Sequence, residues 1–230
     1  MVFDMGYMIV AGVLSLIGMF VSQRLKSKFK HYGQIPLHSG LSGEQIAQRM
    51  LRHYGIHDVK VVEGQGFLTD HYNPVSKTVS LSPQVYGGNT IAAAAVSAHE
   101  CGHAVQHAQA YSMLKLRSAL VPVVNVSAMA QQWLLIIAFV TLSSMPSIML
   151  ITIVAFGITA LFSFITLPVE FDASKRALAW LESSGVTRGQ EQAGAKDALW
   201  WAAMTYVSAA LSALVMLLYL FMRYSAAKRG

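Results

Sequence analysis

Three uncharged, strongly apolar runs divide the chain: residues 5–22 ("MGYMIVAGVLSLIGMFVS"), 118–169 and 198–222. A helix that crosses the hydrocarbon core needs about 20 apolar residues. The first and last runs each supply one span, and the middle run is long enough for two, with "SSMP" at 143–146 as the turn between them. The pattern predicts four transmembrane helices. The polar stretches read differently. "LSGEQIAQRMLRHYG" predicts a short amphipathic helix with Ser42 as N-cap, Gln45 as its capping-box partner and Gly55 as stop. "VKVVEG" and "KTVSLS" flank the turn-rich "TDHYNPVS" and predict a β-hairpin. "IAAAAVSAHECGHAVQHAQA" predicts one alanine-rich helix capped by Asn89 or Thr90. Beyond the third span, Pro168 suits a kink or the first turn of a helix that Gly185 ends, which places Glu170 and Asp172 in its opening turn.

The expected order is a membrane anchor over 1–23, a polar region with the hairpin over 24–118 and a transmembrane hairpin over 119–167. A second polar segment over 168–198, a fourth span over 199–223 and a tail over 224–230 complete it. The first run lacks a basic leader and a small-residue cleavage site, so it reads as a retained anchor. Asn125 and Gln132, seven apart in the second span, share a face and should hydrogen-bond to neighbouring helices. Trp200 and Trp201 open the fourth span as interfacial anchors.

Composition agrees with a membrane protein: 54% of residues are hydrophobic and 12% charged, against about a quarter charged in soluble domains. Of the 17 Lys and Arg residues, ten lie between the first two spans, four between the third and fourth, and three after the last. The positive-inside rule then puts both large loops in the cytoplasm and both termini outside, with only the basic C-terminus pulling the other way. The net charge of +6 suggests nucleic acid at first sight. Its densest stretch, "QRLKSKFKHYG", directly follows a span, where anionic lipid headgroups are the better partner. No nucleic-acid partner is expected. The one cysteine, Cys101, cannot form an internal disulfide and reads as a small packed residue.

The chemistry lies in "AHECGHAVQH". Helical positions four apart share a face one turn apart. His99 and His103 can therefore offer two imidazole nitrogens to one zinc ion, while Glu100, about 100° round, can act as general base on a water. The plain alternative, histidines that merely satisfy hydrogen bonds at a membrane surface, leaves Glu100 unexplained. A third ligand must come from elsewhere. Most acidic residues read as solvated surface, but the "SSMP" turn makes the second and third spans antiparallel neighbours, which brings Glu170 and Asp172 to the same end as His99 and His103. Glu170 is the favoured ligand, and Asp172 is the alternative or a partner that orients an imidazole. His71, Tyr72, His107 and Arg176 are candidates for oxyanion stabilisation, though a structural role is the simpler account of each. His53 and His57 read as surface residues.

The stretches "LTDHYNP", "VSLSPQVY", "AHECGHAVQHAQAY", "LKLRSALVP" and "LPVEFDASKRAL" resemble the YugP-like neutral zinc metallopeptidases, from Ser42 to Arg176. The chain is more distantly similar to HtpX-type membrane proteases, whose third ligand sits in E-x-x-A-D. Glu170 and Ala173 match that motif, and Ser174 stands at its final Asp position, leaving the orienting role open between Asp172 and Ser174. The resemblance implies a mainly α membrane protein with four transmembrane helices and a small cytoplasmic α+β zincin-like region. It implies a zinc endopeptidase with one ion on His99, His103 and Glu170, Glu100 as base, a site facing the cytoplasm in a bacterial cytoplasmic membrane, and a peptide or protein substrate, membrane proteins included. An intramembrane-cleaving protease is disfavoured because no LDG motif follows and Lys115 and Arg117 separate the histidines from the next apolar run. A non-catalytic zinc adaptor is disfavoured by the intact Glu100.

Overall fold

Four long helices carry the apolar runs in the computed structural model, which describes residues 5–228. They are α1 (Met5–Tyr32), α5 (Ser112–Val140), α6 (Pro146–Ser183) and α7 (Gln190–Ala227). Each is long and apolar enough to cross a membrane. Between α1 and α5 lie α2 (Gly43–His53), β1 (Lys60–Glu63), β2 (His71–Asn73), β3 (Thr78–Leu81), α3 (Pro83–Tyr86) and α4 (Ile91–Ala108). The first four residues of the expected anchor, and Arg229 and Gly230 of the expected tail, lie outside the described residues. The third span and the polar segment after it form one helix, contrary to the boundary expected at Pro168. Proline forgoes a single backbone bond there. Helix continues because Val169, Glu170, Ala173 and Ala177, spaced three or four apart, all bury one face.

The chain divides into two compact units. One comprises Met1–Val21, Leu116–Leu167 and Thr205–Gly230, and the other Ser22–Lys115 and Pro168–Met204. In the apolar unit, Leu135, Ala138, Met149, Tyr219 and Leu220 form a core against which Tyr7 and Phe139 pack, their ring centroids 5.3 Å apart. The α5 and α6 helices are joined through Gln131, whose Nε2 donates to the Ala155 carbonyl at 2.8 Å and to the Thr159 hydroxyl. Asn125 and Gln132 are exposed instead, and among the described residues the amide seen bridging α5 and α6 is Gln131, because the face of α5 that meets α6 is set by packing rather than by the count of polar residues.

In the polar unit, α2 starts as expected. Ser42 accepts from the Gln45 N–H and the Gln45 side chain accepts from the Ser42 N–H, while Gly55 leaves the helix with φ +68°. The sheet has the order β1-β3-β2. The segments expected to form a hairpin, "VKVVEG" and "KTVSLS", lie side by side but run parallel, Val61 opposite Val79. The antiparallel partner of β3 is β2, with Tyr72 opposite Val79. Alternation identifies strands without giving their direction, and the segment 64–77 is long enough to cross over and leave a third strand on the way. Thr90 caps α4, accepting from the Ala93 N–H. The alanine-rich α4 is buried along almost all of its length. Its small side chains let α2, the sheet and the ends of α6 and α7 close around it, with Ile46, Met50, Leu81, Val105, Leu181 and Leu199 in one core.

Candidate metal centre

Gly102 decides how α4 meets α6. A Cβ on Gly102 would lie 2.6 Å from the Ala173 carbonyl oxygen, so the two backbones touch with no room for a side chain. His99 and His103 flank Gly102 on α4, and Glu170 sits one turn before Ala173 on α6. The crossing therefore aims two imidazoles and a carboxylate at one point. Glu170 Oε2 lies 3.3 Å from His99 Nε2 and 3.5 Å from His103 Nε2. The donor atoms of all three residues fall within 4.8 Å of one another.

These distances fit a metal ion. Tetrahedral zinc with bonds of about 2.1 Å holds its ligand atoms about 3.4 Å apart. Glu170 is 2% exposed and His103 7%, and a carboxylate is not buried this deeply without a cationic or hydrogen-bonding partner. A hydrogen-bond network decides which imidazole nitrogens face inward. Gln106, fully buried, donates through Nε2 to the Val169 carbonyl and to Asp172 Oδ2, both at 2.8 Å. With its amide hydrogens turned to those acceptors, Gln106 presents Oε1 to His103 Nδ1 at 3.0 Å. Nδ1 is then the protonated nitrogen, and Nε2, turned toward Glu170, carries the lone pair a metal requires. Ser174 Oγ lies 3.1 Å from His99 Nδ1 and can do the same for that ring. Arg176 Nε donates to Asp172 at 2.5 Å and its Nη1 to Gln109 Oε1 at 2.5 Å, anchoring the far end of the chain of contacts.

Asp172 and Ser174 thus divide the orienting role between the two histidines, Ser174 directly on His99 and Asp172 through Gln106 on His103. Sequence reasoning missed Gln106. Its signal was present: an amide three residues after His103, on the same face of an otherwise apolar turn.

Glu100 lies beside the pair on α4 and is 9% exposed. Burial alone lowers the His103 pKa, but the hydrogen bond and charge of Glu170, with a further contribution from Glu100, outweigh it and hold His103 above the ordinary histidine value. Cys101 points away, fully buried with Sγ 3.6 Å from the Ala47 carbonyl, and burial pushes its thiol far up. It packs as expected. Of the oxyanion candidates, Arg176 is occupied by Asp172 and Gln109. His71 is exposed, with its ring on the Thr69 carbonyl. Tyr72 and His107 are bonded to each other at 2.7 Å.

Residues 7–225 match a protein family described as "putative neutral zinc metallopeptidase". The "putative membrane protease YugP" of Bacillus subtilis (strain 168) is 42% identical over 195 residues, covering 85% of this chain and 86% of that protein. No solved structure matches the chain significantly.

Proposed function

We propose, for a chain that belongs to the neutral zinc metallopeptidase family and is an integral membrane protein by its four apolar helices, that it is a membrane-bound endopeptidase. His99, His103 and Glu170 hold one zinc ion and Glu100 serves as general base. The observation that supports this best is the convergence of three donors at ligand spacing, His103 and Glu170 buried and His99 partly so, with the His103 tautomer set behind them.

When bound, zinc supplies Lewis acidity, making water acidic near neutral pH and polarising a peptide carbonyl. Glu100 accepts the water proton and returns it to the leaving amine. Ser174 and Gln106 keep both imidazoles aimed through the cycle, and Asp172, held by Arg176, keeps the Gln106 amide from turning. The burial of the site lowers its effective dielectric and strengthens each of these interactions. The substrate is a peptide or protein, membrane proteins included, and the site faces the cytoplasm of a bacterial cell, because 14 of 17 basic residues fall on that side of the proposed topology.

Glu100→Gln is the deciding experiment. Parent and purified variant should each hold about one zinc per chain, and the variant should lose at least about a hundredfold in cleavage of an unstructured protein, the scale of a general base. Cleavage at the parent rate would end the proposed mechanism, and a parent protein that binds zinc but cleaves nothing would point to an adaptor.

A further inference from the structure

A groove of about 680 Å³ in the polar unit plays no part in the metal centre. It is lined by the end of α1, with Lys26, Phe29 and Lys30, by the loop between β1 and β2, with Phe67 and Leu68, and by α3 and the start of α4. Lys26 and Lys30 are one turn apart on one face of α1. Neither makes an ion pair or hydrogen bond among the described residues, whereas Lys28, on the other side of the helix, is tied to Asp197 at 2.7 Å. The carboxylate that also lines the groove, Asp70, is turned to Ser82, accepting from its N–H at 2.7 Å and its hydroxyl at 3.0 Å. In the same lining, Phe67 is 57% exposed and Leu68 36%. Leu68 has φ +58°, a left-handed turn conformation in the loop between β1 and β2.

We infer that this groove binds one anionic phospholipid, with Lys26 and Lys30 on the headgroup phosphate and Phe29, Phe67 and Leu68 on the first part of an acyl chain. Position along α1 supports the assignment. The uncharged run ends at Ser22, and four to eight further residues rise about 6 to 12 Å. The headgroup layer is about 5 to 8 Å deep on each side of the hydrocarbon, so the Lys26 backbone stands within it, and the Lys30 backbone about 4 Å or more above it, from where its long side chain reaches back toward the phosphate. Two cations within reach of the phosphate layer, with apolar side chains lining the same groove, match an amphiphile, whereas a soluble anion would leave the exposed aromatic unused. The inference stands independently of the peptidase reading.

The test is native mass spectrometry of the full-length protein in neutral detergent, titrated with phosphatidylglycerol or phosphatidylcholine. One phosphatidylglycerol should be retained per chain at concentrations where phosphatidylcholine is not. Lys26→Gln/Lys30→Gln should weaken retention about 25-fold, taking each lysine near a charged headgroup as worth roughly a factor of five. Phe67→Ser, at an exposed loop position that cannot perturb α1, should weaken both lipids' binding. Lys60→Gln/Lys196→Gln removes the same charge from exposed positions outside the groove and should change nothing. Equal losses in the two lysine pairs would reduce the effect to bulk charge and overturn the proposal, as would displacement of the lipid by inorganic phosphate at matching concentration. Unchanged lipid retention in the groove variants together with a raised KM for peptide would give the groove to the substrate and overturn it likewise.

Discussion

The Gln106 amide has one acceptor and two donor hydrogens, and both hydrogens are directed at Val169 and Asp172. That constraint reaches His103 as a fixed tautomer. Gln106→Leu keeps roughly the volume and removes the constraint, so zinc affinity should fall about 10- to 100-fold, the usual effect of losing a partner behind a ligand histidine, measured by competition with a chromophoric chelator. Asp172→Asn should weaken it by less, because Gln106 keeps Val169. His103 also sets a pH dependence. Its folded pKa is raised by Glu170 above the unfolded value, so in the zinc-free chain its proton stabilises the fold fully below an ordinary histidine pKa of about 6.5, and that stabilisation is lost as pH rises through the raised value. Zinc needs the same nitrogen unprotonated. Apparent zinc affinity should therefore fall as pH drops through the raised value, beginning above pH 6.5, and isothermal titration across pH 6 to 8 would show it. That His99 and His103 share one helix face was legible from helical periodicity alone. Gln106 was not, since an amide gains meaning only from the groups it faces.

At the scale of elements, the α4–α6 crossing is the feature that assembles the site. Gly102→Ala would push a methyl to within 2.6 Å of a backbone oxygen that cannot move without shifting α6. The expected cost is about 1 to 3 kcal/mol of stability, read as a lower melting temperature in detergent, with weaker zinc binding because Glu170 shifts relative to His99 and His103. Ser97→Ala, one turn or more away on the same helix, should leave zinc affinity intact. Helices and caps were readable because their signals are local: Ser42 with Gln45, Thr90, and glycine at the left-handed positions 55 and 185. Strand direction was not. The parallel pairing of β1 with β3 is set by a crossover through β2 and by the helices the strands pack on, α4 against β2 and β3 and α2 against β1, and alternation within four residues carries neither piece of information. Pro168 misled for a related reason, because a proline's local cost is outweighed by a buried face that continues through it.

For the whole molecule, the proposed topology has a direct check. Reporter fusions after the last residue and within the 143–146 turn should both report the outside of the cytoplasmic membrane, and a cytoplasmic signal at both would reverse the orientation and place the metal centre outside. The four spans were determined by the sequence itself, because insertion into hydrocarbon depends on composition summed along each segment and needs no partner. So were the two histidines and the glutamate of α4, which one helix presents at fixed angles. Only the tertiary structure decided that Glu170 and not Asp172 meets both Nε2 atoms, that Ser174 and Gln106 each face one ring, and that Lys26 and Lys30 share a groove with Phe67. Each of these joins residues from distant parts of the chain, and which faces meet is settled by the packing of small side chains such as Gly102 and Ala173, whose effect no local pattern records.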